Sequence, residues 1–330
     1  MTKTHIIGVD ISKNTFDFHC YGDTQTPAPL INSKKGFNQF DRWLKKRCST
    51  IQEEVLIVME YTGIYTYNIE RFLDSKGWPY VKRPALDIKR STGIQRGKND
   101  QADARMISKY GWQNKETLQP MKPTSDTLIE LQSLMSYRDK LVADRASHTT
   151  RFKELKEQMG SDLNTTIKRS AKAVINLLTE HIKQLECSIR ECLKKDNDLQ
   201  RNYDLLISVR GIGFVCAVTF LITTENFTRF HDPRKFACYS GVAPFTYTSG
   251  TSIRGKTKVS QLANKRIKSL LTMAALSAIQ SDPDLKNKYE QKVKEGKAKM
   301  SVINIIRFKL IERVFAVINR QSPYILKIAA

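Results

Sequence analysis

EEVLIVMEYTGIY, residues Glu53–Tyr65, is a largely apolar run of strand length that ends on a carboxylate, Glu60, and turns straight into a helix. The strand reading covers Glu53 to Glu60, and beyond it Ile64, Tyr67, Ile69 and Phe72 fit one side of a helix. An acid emerging from a buried strand is costly unless it has a partner or a task. Two other places supply companions. Asp10 ends the apolar run of Ile6, Ile7, Gly8 and Val9, and Asp100 and Asp103 sit in KNDQADAR at 98–105. Four acids from three elements suggest one metal site.

Working outward, His5–Asp10, Thr15–Cys20 and a short segment near Leu30 read as three consecutive strands, linked by turns containing Ser12-Lys13-Asn14 and Gly22-Asp23. From Gly36 to Cys48, Phe37, Phe40, Trp43 and Leu44 recur at helical spacing. After the helix at 61–77, Trp78–Arg83 reads as a further strand and Asp100–Gln113 as a helix carrying Ala102, Ala104, Met106, Ile107 and Tyr110. The order βββαβαβα resembles that of the RuvC/ribonuclease H superfold, in which the first and fourth strands are neighbours. Asp10 and Glu60 are then expected side by side. Asp100 and Asp103, three apart, share a helix face and can point at them. Magnesium prefers hard oxygen ligands, and two such ions roughly 4 Å apart can clamp both sides of a phosphodiester under attack. The plain alternative for each acid alone is a solvated surface carboxylate.

The charge agrees with such a substrate. The 330 residues carry 55 Lys and Arg against 33 Asp and Glu, a formal charge of +22, which points to a polyanionic partner, nucleic acid before a membrane surface. No apolar run reaches the roughly 20 residues of a membrane span, and Met1–Ile11 lacks a signal-peptide pattern. The six cysteines contain no C-x-x-C pair, so neither a structural zinc site nor a disulfide framework is expected. Between Lys82 and Lys98 the cations Lys82, Arg83, Lys89, Arg90, Arg96 and Lys98 face only Asp87. They form either a solvated loop or a grip on a nucleic-acid backbone beside the metal site.

The length allows three parts: a carboxylate domain at 1–120, a helical coiled-coil spacer at 121–200 and a basic, mainly helical domain at 201–330. In the spacer, Leu128, Leu131, Leu134 and Leu141 line one helix, Gly160 breaks it, and Ile175, Leu178, Ile182, Leu185, Ile189 and Cys192 step by three and four residues as in a coiled-coil seam. SVRGIG at 208–213 reads as a helix-hairpin-helix turn offering amides to a phosphate, or as a plain turn with glycine caps. Ser249-Gly250, followed by Arg254, Lys256 and Lys258, is either a nucleophile with cations near the attacked phosphate or an ordinary turn. From Thr251 onward 17 Lys and Arg stand against 5 Asp and Glu, Lys265 and Arg266 among them, and the Ser301–Gln321 helix is expected to bury its apolar residues while showing Arg307, Lys309, Arg313 and Arg320.

GVDISKNTFD, MEYTGIY, KNDQADARMI, SVRGIG and YSGVAPFTYTSGTSIRGKTKVSQLANKRIKSLL occur here in the order found in the insertion-sequence 110 family of transposases, which this chain resembles over almost its whole length. KVSQLANKR departs mildly from the family pattern, where a glycine often follows the basic residues. The resemblance implies an α/β RuvC-like domain joined to helical regions, and an acidic tetrad at Asp10, Glu60, Asp100 and Asp103 holding Mg²⁺. It also implies a nucleophilic serine at Ser249, with Ser240 ranked well behind. It further implies donor and target double-stranded DNA, a bridge-type non-coding RNA that guides strand exchange, and a homodimer that assembles to a homotetramer in a prokaryotic, nucleoid-associated cytoplasm. The rival readings are a metal-only, structure-selective endonuclease and a Piv-type site-specific DNA invertase.

Overall fold

Strands covered on both faces can be apolar at every position, and the first and fourth strands are built that way. The computed structural model describes residues 3–48, 52–92, 100–249, 253–259 and 263–325, and the chain divides into two compact units, Met1–Thr124 and Ser125–Ala330.

In the first unit β1 (His5–Ile11), β2 (Thr15–Cys20), β3 (Leu30–Ile31), β4 (Val55–Glu60) and β5 (Tyr80–Arg83) form a mixed sheet of order β3-β2-β1-β4-β5. β1 and β2 are antiparallel, while β1, β4 and β5 run parallel. Because side chains alternate, Ile7, Val9, Ile57 and Met59 join Phe16 and Phe18 in a core with Phe37, Phe40 and Leu44 of α1 (Lys34–Arg47) and Ile69 and Leu73 of α2 (Tyr67–Ser75). Ile6, Leu56, Val58 and Val81 face the other way, onto Ile88 of α3 (Ala85–Thr92) and Met106, Ile107 and Tyr110 of α4 (Asp100–Gln113). Two glycines let α4 lie directly on the strands. A Cβ at Gly8 would stand 2.3 Å from both the Ala104 carbonyl oxygen and the Ser108 amide nitrogen, and one at Gly111 would meet methyls of Ile6 and Val58 at 2.6 and 2.7 Å. The helix therefore runs antiparallel to β1, with its first turn at the carboxyl ends of β1 and β4.

The expected strands and α4 are present, with local differences. The helix after Glu60 starts as a 3-10 turn at Gly63–Thr66 before α2, since Gly63 takes φ +68°, a conformation that suits a residue without a Cβ. Part of the basic segment after β5, for which a solvated loop is one of the two sequence readings, is the helix α3, anchored by the fully buried Ile88.

Among the described residues the second unit is helical apart from one hairpin. It comprises α5 (Asp126–Met159), α6 (Thr165–Lys194), α7 (Asn197–Ser208), α8 (Phe214–Thr223), α9 (Pro233–Tyr239), β6 (Pro244–Ser249), β7 (Ile253–Val259), α10 (Lys265–Ser281), α11 (Pro283–Lys294) and α12 (Lys299–Arg320). Ser125, Asn164, Asp196, Asp232, Asn264 and Asp282 each accept a backbone N–H at the start of a helix, caps worth about 1 kcal/mol apiece. α5 and α6 pair within the chain through Arg138–Glu186 at 2.7 Å and through the expected seam, of which Ile182, Ile189 and Cys192 are buried. The inner ends of both helices, Leu128, Leu131, Met135, Ile189 and Leu193, share one core with α7 to α12. No helix of the described residues is long and apolar enough to cross a membrane.

Candidate functional site

The register of the sheet sets a row of ionisable residues across four strands. Asp10 pairs with Asp17 of β2, Glu60 pairs with Arg83 of β5, and the β1–β4 pairing that ends at Val9↔Met59 brings Asp10 and Glu60 next in step. All four lie on the face that carries α4, since Ile6, Val58 and Val81 two or more residues earlier point there. Cα atoms directly opposite in an antiparallel pair are about 4.5–5.5 Å apart, so Asp10 and Asp17 stand side by side on the same face of the sheet. Asp17 is only 6% exposed.

Asp103 lies in the first turn of α4, one residue before the Ala104 that sits over Gly8, and is half-buried. Asp100 opens the same helix; its side chain is outside the described set. The fold thus gathers Asp10, Glu60 and the start of α4 at one edge of the sheet. The carboxylate oxygens of Asp10, Glu60 and Asp103 do not gather within 4.8 Å of one another; among the described residues the ligand atoms of His5, Cys20 and Cys48 do. Asp17 is the member that sequence reading missed. Its signal was present in GVDISKNTFD, where a tight turn folds the second aspartate back onto the first.

Neighbouring groups set the electrostatics. Arg83 is half-buried and its Nε has no hydrogen-bond partner, so the row ends in a cation beside Glu60. Burial pushes the Tyr110 hydroxyl above its ordinary pKa, and the Arg83 charge opposes that rise. Lys82 points to the other face and forms a buried ion pair with Glu70 at 2.9 Å, which removes it from the expected nucleic-acid contacts. Lys89 is exposed on α3; the Arg90 side chain is not described, and Arg96 and Lys98 lie outside the described residues.

In the second unit Ser249 ends β6 and pairs with Ile253, the first residue of β7, and Arg254 and Lys258 pair with Thr248 and Phe245. The side chains of Ser249, Arg254, Lys256 and Lys258 are outside the described set. Ser240 is fully buried and donates to the Ala237 carbonyl at the end of α9. Lys265 and Arg266 are exposed at the start of α10, Arg266 paired with Asp139. In the SVRGIG turn Gly211 takes φ +90° and packs against Ala274 and Ala278, while a Cβ at Gly213, at the head of α8, would meet open space. Arg307 and Arg313 are not displayed as expected. Arg313 bridges Asp282 and Asp284. Arg307 is 4% exposed and bonds Thr272 and Asn304, because α12 runs through the middle of the core and has little outer face.

Comparison with known proteins gives the class and then the family. A profile described as "Transposase" (DEDD type, IS110) matches residues 7–159, and one described as "Transposase IS116/IS110/IS902 family" matches residues 203–290. The chain is a transposase, an enzyme that acts on DNA. It belongs to the IS110 family of insertion-sequence transposases. The pilin gene-inverting protein of Moraxella bovis is 27% identical over 98% of both chains. The transposase for insertion sequence element IS1328 of Yersinia enterocolitica is 23% identical over 83% of this chain and 84% of its own. That for element IS1111A of Coxiella burnetii is 20% identical over 70% and 69%. Transposase domains of the DEDD type generally use a divalent metal.

Proposed function

We propose that this transposase exchanges DNA strands through a covalent link to Ser249, assisted by Asp10, Glu60, Asp100 and Asp103 and guided by a non-coding RNA from its own element. The observation that carries the reading is the row Asp17, Asp10 and Glu60 on one face of the sheet, with Asp103 on the helix seated at Gly8. In this reading the sheet unit is a ribonuclease-H-like carboxylate domain, 1–120; residues 121–200 are a helical spacer, and 201–330 form the serine domain.

The donor set suits Mg²⁺: all are hard oxygens, Asp10 and Glu60 on adjacent strands and Asp100 and Asp103 on the helix packed over them. When bound, the ion would polarise the phosphate and stabilise charge on the departing oxygen. Ser249 Oγ attacks a DNA phosphorus; the Oγ–P bond forms, the P–O3′ bond breaks, and the 3′ oxygen leaves and takes up a proton. Arg254, Lys256 and Lys258, on the strand paired with β6, stabilise charge on the attacked phosphate. Arg83, Lys89, Arg90, Arg96, Lys98, Lys265 and Arg266 hold backbone phosphates. The guide RNA selects the DNA by base pairing, and dimers join into a tetramer on two DNAs.

The test is recombination of donor and target DNA by purified protein with Mg²⁺, with and without RNA transcribed from the element's flanks. Product that needs the RNA and is abolished in Asp10→Ala and Glu60→Ala supports the reading. Equal recombination without RNA would refute the guidance, and activity that survives either substitution would refute the metal role.

A further inference from the structure

We propose that His5, Cys20 and Cys48 form a second metal site, for zinc or a similarly soft divalent ion, separate from the carboxylate row. His5 is the first residue of β1, Cys20 the last of β2, and Cys48 follows directly after α1. One imidazole nitrogen and two sulfurs lie within 4.8 Å of one another. Tetrahedral zinc at about 2.0–2.3 Å from nitrogen and sulfur needs its ligands roughly 3.5–3.8 Å apart, a spacing within that limit. The donor chemistry excludes magnesium as the natural occupant, since thiolate and imidazole select zinc and related ions while carboxylate and water suit the harder ones.

The placement also separates the two sites. His5 and Asp10 stand at opposite ends of β1 and on opposite faces, about 16 Å apart along the strand at roughly 3.3 Å per residue. Cys20 is buried, and His5 and Cys48 are half-buried, so the cluster is seated in the protein yet reachable by an ion. Arg47, paired with Asp23, stands beside the sulfurs. Binding of the metal displaces the proton from each thiol, so that both sulfurs ligate as thiolates. Three protein ligands leave a fourth position for water or another donor. The site's role is structural: an ion there ties the start of β1, the end of β2 and the end of α1 into one corner of the sheet, independently of the strand-exchange reading.

The experiment uses the full chain, reduced and stripped of metal, titrated with Co²⁺ and then Zn²⁺. Wild-type protein gives a thiolate-to-cobalt charge-transfer band that saturates at one equivalent and is erased by Zn²⁺, and Zn²⁺ raises its melting temperature. The band and the zinc-dependent shift are lost in Cys20→Ser/Cys48→Ser and weakened at least about tenfold in the milder Cys48→Ser. Both persist in Cys187→Ser, an exposed cysteine elsewhere, and in Asp10→Asn. Absence of the band in wild type, its survival in the double variant, or recovery of a Cys20–Cys48 disulfide from reduced protein would overturn the assignment.

Discussion

Gly8→Ala tests whether α4 is held where the carboxylate site needs it. The added methyl would lie 2.3 Å from two backbone atoms of α4, the Ala104 oxygen and the Ser108 nitrogen, and 2.9 Å from the Ser108 Cα. None of these is the end of a flexible side chain, so helix and strand must part by about 1 Å to reach an ordinary contact. Overpacking of this kind costs about 1–3 kcal/mol, and for a unit of this size each kcal/mol lowers the melting temperature by roughly 3–6 °C. Activity should fall further than stability. Asp103 neighbours Ala104, and a displacement near 1 Å can cost about 100-fold in rate. The assay pairs thermal unfolding with Mg²⁺-dependent DNA cleavage at a temperature where the variant remains folded. A Gly8→Ala protein with unchanged melting temperature and full activity would refute the placement of α4 on β1.

Other outcomes follow from buried polar groups. Glu70→Leu strands the Lys82 ammonium, 3% exposed, and should cost about 3–5 kcal/mol in urea unfolding, most of it recovered by adding Lys82→Met. Asp17→Asn removes one charge beside Asp10 and should raise the Mg²⁺ needed for half-maximal cleavage by about 10–100-fold; an unchanged requirement would remove Asp17 from the site. His19 is buried, its Nε2–H bonding the Asp23 carbonyl and its Nδ1 facing the Ser108 hydroxyl, and burial lowers its pKa from 6.5. Between the folded value and 6.5 only the unfolded chain takes up the proton, so stability is full above about pH 6.5 and declines as pH falls towards the folded value. His19→Gln should abolish that part of the pH dependence.

Much of the sheet was legible because β4 is an apolar run that ends in Glu60 and β1 one that carries Asp10 next to its end, and a parallel β1–β4 pair needs both faces covered. The close seat of α4 was not, because Gly8 and Gly111 gain meaning only when a helix lies on them. Asp17 escaped notice because register, not composition, sets it opposite Asp10; the hydrogen bonds of Ser12 with Thr15 that tighten the turn fix that register. The α3 helix was hidden by its charges, with Ile88 as the buried anchor. Arg307 was expected outside because charge usually is, yet α12 is buried on nearly every side. His5, Cys20 and Cys48 lie far apart in sequence without a recognised spacing, and meet only because three elements end at one corner.

The covalent step is the central claim, and it can be read directly. Wild-type protein is incubated with Mg²⁺, guide RNA and end-labelled DNA, denatured, digested with protease and mapped by mass spectrometry. The account predicts a nucleotide attached through phosphate to the peptide that contains Ser249, accompanied by a free 3′ hydroxyl on the cut strand, and no adduct from Ser249→Ala. Unaltered cutting by Ser249→Ala with no adduct on wild type would contradict it and leave a metal-only nuclease.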